Sequence, residues 1–211
     1  MFQPPVFRED DIEVMHAMIR ENPFASLLSL QNGEMVCDHI PMMIHAEESD
    51  QGTLRGHIAR ANPMRRLVDH DARALVVFTG LHAYVTPSWY PSKDMHDKVV
   101  PTWNYISVHA RGKIDLIHDE AWILSHLNAL TDLHEEGREK PWTVSDAPSE
   151  FIHRQLRGIT GIEIKIESLQ GTWKVSQNKE TADNAGVAEG LRCEHAQAAR
   201  DMAAIVETRR R

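Results

Sequence analysis

The sequence predicts an α+β protein that is mainly β, a small barrel with satellite helices. Three observations carry this. Residues 105–116 alternate with period two: Ile106, Val108, Ala110, Ile114 and Leu116 face one way, and Tyr105, Ser107, His109, Arg111, Lys113 and Asp115 the other. That pattern, held so long, is a strand. Asn32-Gly33 separates two further runs of strand character, and it is the pair that a two-residue type I′ hairpin turn needs, because both central residues take positive φ. Six or more strands interrupted by two helices fit a barrel with helices packed outside it.

Taken in order, residues 10–21 place Ile12, Met15, Met18 and Ile19 at helical spacing, with acidic residues at the start, where the helix dipole favours them. Asn22-Pro23 stops this helix. Phe24 to Leu30 and Met35 to Ile40 form the hairpin strands, the acidic run from His45 to Gly52 reads as an exposed loop, and Thr53 to Ile58 as a short strand. Asn62 as cap and Pro63 in the first turn predict a helix from Pro63 to Asp69. Helix openings also receive anions, so His57, Arg60 and Asn62 stand either as ligand contacts or as parts of a bare cap. Ala74 to Phe78 is apolar on both faces and reads as an interior strand. Within the long alternation, Gly112 marks a bulge or the bend where a sheet curls, and Arg111 and Lys113 face either a phosphate or water. Asp119 caps a helix reaching about Glu136, with Trp122, Leu127, Leu130 and Leu133 as its buried stripe. A second helix spans Pro148 to Gly158, and Ile162 to Ile166 and Gly171 to Ser176 are strands. The expected organisation is a barrel domain over 1–178 and, over 179–211, an exposed linker with a helix from Glu194 to Thr208 that ends in Arg209, Arg210 and Arg211.

Composition narrows the function classes. The chain has 211 residues, 42% hydrophobic and 26% charged, which suits one globular domain with at most a small appendage. A formal net charge of -8 repels nucleic-acid phosphate, which leaves direct DNA contact to local charge at Arg60, Arg65, Arg66 and the terminal arginines. Cys37 and Cys193 form no CxxC, so neither a zinc site nor a disulfide framework is expected, and a reducing cytoplasm is the expected compartment. No basic-then-apolar leader and no run of about eighteen apolar residues appears, so neither export nor a membrane span is expected. Among the 13 histidines there is no HExxH, and His126 and His134 on one helix lie too far apart for a compact metal face. GxSxG, GxGxxG and Walker patterns are also missing.

The stretch TGLHAYVTPSWYPSKDMHDKVVPTWNY, residues 79–105, concentrates Tyr84, Trp89, Tyr90, Trp103 and Tyr105 among prolines and polar residues. Large flat side chains in a turn-rich loop form either a binding surface held by flanking strands or a plug closing the end of a barrel. Tyr84, Ser88, Lys93, Thr102 and Asn104 supply hydroxyls, an ammonium and an amide, the mixture that holds a phosphate and orients a heterocycle. Asp94, His96 and Asp97 read as a solvated loop tip.

HAYVTPSWYPSK, VPTWNYISVHARG and GTWKVSQN, with GHIARANP and the opening MFQPPVFRED, resemble the PaiB family of FMN-binding negative transcriptional regulators. The resemblance runs from Met1 to about Leu191. It implies an FMN-binding split β-barrel with flanking helices and a C-terminal helix, related to pyridoxamine-phosphate oxidases. It further implies a homodimer with the flavin at its interface, and a repressor role acting through DNA or a regulatory protein partner. The matching segments imply cofactor contacts from Tyr84, Ser88, Trp89, Lys93, Thr102, Trp103 and Asn104, and from a second set, Trp173, Lys174, Ser176 and Gln177; no catalytic residue or metal ligand is implied. Two other classes stay open: a flavin-dependent oxidoreductase of the same barrel group, and a flavin- or haem-binding module with neither role. The C-terminal extension with its arginines falls outside the family motifs.

Overall fold

The computed structural model describes residues 1–31, 33–66 and 72–209. Asn32 of the expected turn, the last part of the expected 63–69 helix, Arg210 and Arg211 lie outside them. The strands in chain order are β1 Arg8–Glu9, β2 Phe24–Gln31, β3 Glu34–Pro41, β4 Met43–His45, β5 Thr53–Ala59, β6 Arg73–Val85, β7 Thr102–Ile117 and β8 Ile159–Lys174. The helices are α1 Ile12–Glu21, α2 Ser92–His96, α3 Glu120–Glu135, α4 Ser149–Leu156, α5 Thr181–Arg192 and α6 Gln197–Thr208. Strand order in the sheet is β3-β2-β6-β7-β8-β5-β4, with β1 paired to β8. Among the described residues no helix is long and apolar enough to cross a membrane.

The chain forms two compact units, and β6, β7 and β8 each contribute to both. One unit comprises Ile19–Phe78 and Ala110–Leu169. In it β2 and β3 pair antiparallel from Phe24↔Pro41 to Gln31↔Glu34, and Gly33 carries the positive φ of 87° that the Asn-Gly turn requires. β5 pairs antiparallel with β8 from Thr53↔Lys165 to Ala59↔Ile159. Alternate residues point inward, so Leu27, Leu54, Ile58, Val76, Phe78, Ile114, Ile162 and Ile164 make the core. Asp119 accepts from the Trp122 amide at 2.7 Å and starts α3, as its sequence predicts.

The other unit comprises Met1–Met18, Thr79–His109 and Gln170–Arg211. Its core gathers Ala83, Val85, Ile106, Val108 and Trp173 from strands, Val175 just past β8, and Val187, Ala188, Leu191, Met202 and Val206 from α5 and α6. The α6 set Ala199, Met202, Ala203 and Val206 recurs at the spacing of one helix face.

Several expectations change. The aromatic stretch is not one loop: β6 runs on to Val85 and β7 opens at Thr102, so only residues 86–101 connect them. Ala83 and Val85 turn inward while His82 and Tyr84 turn out; aromatic side chains on the outer face blurred the apolar-polar contrast that reveals a strand. The expected solvated tip is α2, and its residues 93–96 are exposed. β4 ends on His45, the first residue of the expected acidic loop, and a 3-10 turn, Ala46–Glu48, follows. The helix expected at Pro63 is a 3-10 turn, Pro63–Arg66, with Asn62 accepting from the Met64 amide at 2.8 Å. The two expected strands after Ile159 are one, β8. At the join, the Gln51 side-chain carbonyl accepts from the Leu169 amide at 2.7 Å. In α3 the buried residues are Ile123 and His126, whereas Leu133 of the expected stripe is exposed. The stretch expected as an exposed linker forms α5, with Val187, Ala188 and Leu191 buried.

Candidate functional site

The start of β7 and the end of β8 meet in a cavity of about 210 Å³ lined by Thr102, Asn104, Lys174, Ser176, Lys179 and the Val100-Pro101 segment, with Asn178 beside them. Strand alternation puts Thr102 and Asn104 on one face of β7, and Lys174 on the matching face of β8 with Ser176 just beyond it. The Lys174 ammonium donates to Thr102 Oγ1 at 2.5 Å and to the Trp103 carbonyl at 3.0 Å. Ser176 Oγ donates to Asn104 Oδ1 at 3.0 Å. Ser176 is held in the left-handed region at φ 63°, uncommon for a residue with a side chain. The Lys179 amide and Asn184 Nδ2 both donate to its carbonyl, at 3.0 and 3.3 Å. Gln177 turns back on the strand end, accepting from the Val175 amide at 2.8 Å and donating to the Trp173 carbonyl at 2.5 Å.

The electrostatics of this pocket favour an anion. Two lysines line it, the Lys179 ammonium 4.5 Å over the Tyr90 ring, and burial first, then the neighbouring Lys179, lowers the Lys174 amine below the ordinary lysine value. Asn104 is fully buried, and among the described residues its Nδ2 has no hydrogen-bond partner. A buried amide donor without an acceptor is a standing cost of about 1–3 kcal/mol. A phosphate oxygen is the kind of group that removes it, and the volume suits a phosphate with part of its tail.

Of the eleven residues expected to contact the cofactor, the cavity brings together Thr102, Asn104, Lys174 and Ser176. Tyr84 and Trp103 are half-exposed on the outer faces of β6 and β7, with ring centroids 6.1 Å apart, and His82 lies 5.7 Å from Trp103. Trp103 thus points away from Thr102 and Asn104, although its carbonyl holds Lys174. Trp89 is seated on Gly186 and Gly190 of α5 and does not line the cavity. Trp173 is buried with the Arg209 guanidinium 5.2 Å over its ring. Ser88 and Lys93 are exposed, and neither lines the cavity. Lys179 and Asn178 were missed. The signal for Lys179 was a cation placed just past a strand end whose other residues were already assigned.

A second polar cluster lies in the other unit. His57 Nδ1 and His126 Nε2 are 3.2 Å apart, Trp122 stacks on His126 with centroids 5.5 Å apart, and Arg55 sits 5.5 Å over Trp122. Arg55 is held by Glu48 at 2.9 Å and Glu163 at 2.7 Å. His57 thus partners His126 of α3. Asn62 is a cap that also donates to Asp38 at 3.1 Å. Among the described residues no group of three or more His, Cys, Asp or Glu side chains is placed to hold a metal ion.

Residues 1–168 match the family model described as "Putative FMN-binding domain". The chain is 30% identical over 207 residues to the protease synthase and sporulation protein PAI 2 of Bacillus subtilis (strain 168), covering 98% of this chain and 97% of that protein. It is 33% identical over 236 residues to an uncharacterized protein of Aspergillus fumigatus, covering 90% of each. The fold is shared with an FAD and heme binding protein from Mycobacterium smegmatis (TM-score 0.58, 17% identity, 79% of this chain and 73% of that one). It is also shared with the flavocytochrome Anf3 from Azotobacter vinelandii (TM-score 0.58, 16% identity, 79% and 69%). The α+β, mainly β architecture is that of the flavin-binding split barrels. With a family match over most of its length and a full-length relative beside it, this chain belongs to the PaiB family of FMN-binding domain proteins.

Proposed function

We propose that this chain is a flavin-responsive negative regulator of transcription that binds FMN with the phosphate in the Lys174–Lys179 pocket. The observation that carries the reading is that pocket: two cations, two hydroxyls and a buried amide without a partner around one cavity. Lys174 and Lys179 hold the phosphate charge, Asn104 Nδ2 donates to it, and Ser176 keeps Asn104 oriented. FMN, when bound, supplies a redox-active isoalloxazine; the protein's part is to bind and orient it. The half-exposed Tyr84 and Trp103 offer an aromatic face that suits a homodimer interface bordering the flavin. The regulatory role is supported by the sporulation relative's name, and it operates in the cytoplasm on DNA or through a protein partner.

An absorption spectrum of the purified protein before and after adding FMN tests the cofactor directly, and no change in the flavin bands sinks it. Lys174→Ala removes a charge-assisted contact of about 1.5–3 kcal/mol and weakens FMN binding roughly ten- to a hundredfold. Lys93→Ala, exposed and off the cavity lining, leaves the affinity as it was. Unchanged affinity in Lys174→Ala would place the phosphate elsewhere.

A further inference from the structure

The family match ends at residue 168, yet four of the eight residues that line the pocket, Lys174, Ser176, Asn178 and Lys179, lie beyond it. The segment that follows them, α5, touches the pocket's supports at three points. Gly186 and Gly190, one turn apart on the same face, give Trp89 its seat: a Cβ at Gly186 would overlap the Trp89 carbonyl, and one at Gly190 would overlap the indole itself. Asp183, nearly buried, accepts from the Ser92 amide at 3.0 Å and from Ser92 Oγ at 2.7 Å, which fixes the start of α2. Asn184, fully buried, donates to the carbonyl of the left-handed Ser176.

These contacts hold both sides of the cavity. Trp89 and Ser92 belong to the 86–101 connection whose last residues, Val100 and Pro101, form one wall. Ser176 begins the segment that carries Asn178 and Lys179 on the other. We propose that α5 is the positioning element of the anion pocket, with Gly190, Asp183 and Asn184 as its positioning residues. α5, which follows the last of the quoted motifs, thereby acquires a role in cofactor recognition that those motifs do not assign. The inference rests on reading the cavity as the FMN phosphate site, and a pocket held in advance binds more tightly because less ordering remains to be done on binding.

The test uses the full chain with Gly190→Ala, Asn184→Leu and the milder Ser92→Ala, and two measurements. FMN titration is expected to show affinity reduced by roughly tenfold or more in the first two. Limiting acetic anhydride with peptide mapping is expected to show Lys174 acylated faster relative to the exposed Lys140, because its hold on Thr102 and Trp103 loosens. A folded variant with lowered unfolding midpoint but unchanged FMN affinity and an unchanged Lys174 to Lys140 ratio overturns the proposal, since α5 would then only support the fold. If Gly190→Ala and Asn184→Leu do not fold, Ser92→Ala decides by the same ratio. If the wild type binds no FMN, the acylation ratio alone decides, and the cofactor reading fails separately from the role of α5.

Discussion

Lys174 is where charge and burial oppose each other. Its amine is pulled below the ordinary lysine value by burial and by Lys179, whereas a bound phosphate favours the protonated form. Anion affinity therefore falls as pH rises through the lowered value, earlier than for an exposed lysine. FMN dissociation constants across an alkaline pH series should show this. Lys174→Arg, which stays charged, should flatten the alkaline limb even if its larger fork binds less well. At Gly112 the constraint is steric. A Cβ there would overlap the Lys165 carbonyl oxygen and crowd Ile164, so Gly112→Ala is expected to lower unfolding stability by about 1–3 kcal/mol in urea denaturation. The sequence marked Gly112 as special, but the close approach of β8's backbone is what requires glycine.

At the level of elements, the docking of α3 on β5 turns on one imidazole pair. A hydrogen bond between His57 and His126 needs one ring nitrogen to accept, and the charges around it are His45 on β4, Glu48 after it, Arg55 on β5 and Glu163 on β8. Burial first, then His57, His45 and Arg55, lower His126 from 6.5 to about 4, and burial lowers His57. In the unfolded chain these groups take up protons near 6.5, before the folded protein does. Stability is thus greatest above about 6.5, falls as pH drops, and stops falling on this account near 4. Urea midpoints over that range should follow this course, and His126→Leu should shrink the slope. A wild-type midpoint flat between pH 6.5 and 4 would contradict it. Trp122, stacked on His126, gives the same transition an optical report.

For the whole molecule, net charge and the C-terminus bear on partners. The chain carries -8, and Arg209, one of the cations expected to be available to DNA, is instead paired with Glu9 and laid over Trp173. Removing residues 209–211 is expected to lower stability by about 1–3 kcal/mol, because the nearly buried Glu9 carboxylate loses its partner. If a DNA complex forms, Arg209→Ala should leave its salt dependence unaltered; a reduced slope would make Arg209 a phosphate contact. Light scattering is expected to return twice the 24.0 kDa chain mass, with Trp103→Asp, on the exposed aromatic face, shifting the population toward monomer. A wild-type monomer at micromolar concentration would remove the dimer from the proposal.

Local physics determined much of this chain in advance. Period-two alternation placed β7, the Asn-Gly pair placed the β2-β3 hairpin, and Asp119 and Asn62 declared their caps, because each of these depends on residues within a few positions of one another. The quoted motifs carried the family, and with it FMN. What the tertiary structure decided were juxtapositions between distant segments. Lys174 reaches Thr102, Asn184 reaches Ser176, Trp89 finds glycines about a hundred residues away, and His57 rather than His134 becomes the partner of His126. No spacing along the chain encodes such pairs. They arise only when strand register and helix docking bring side chains together, which is why a cluster of candidate residues could be read from the sequence while the pocket they form could not.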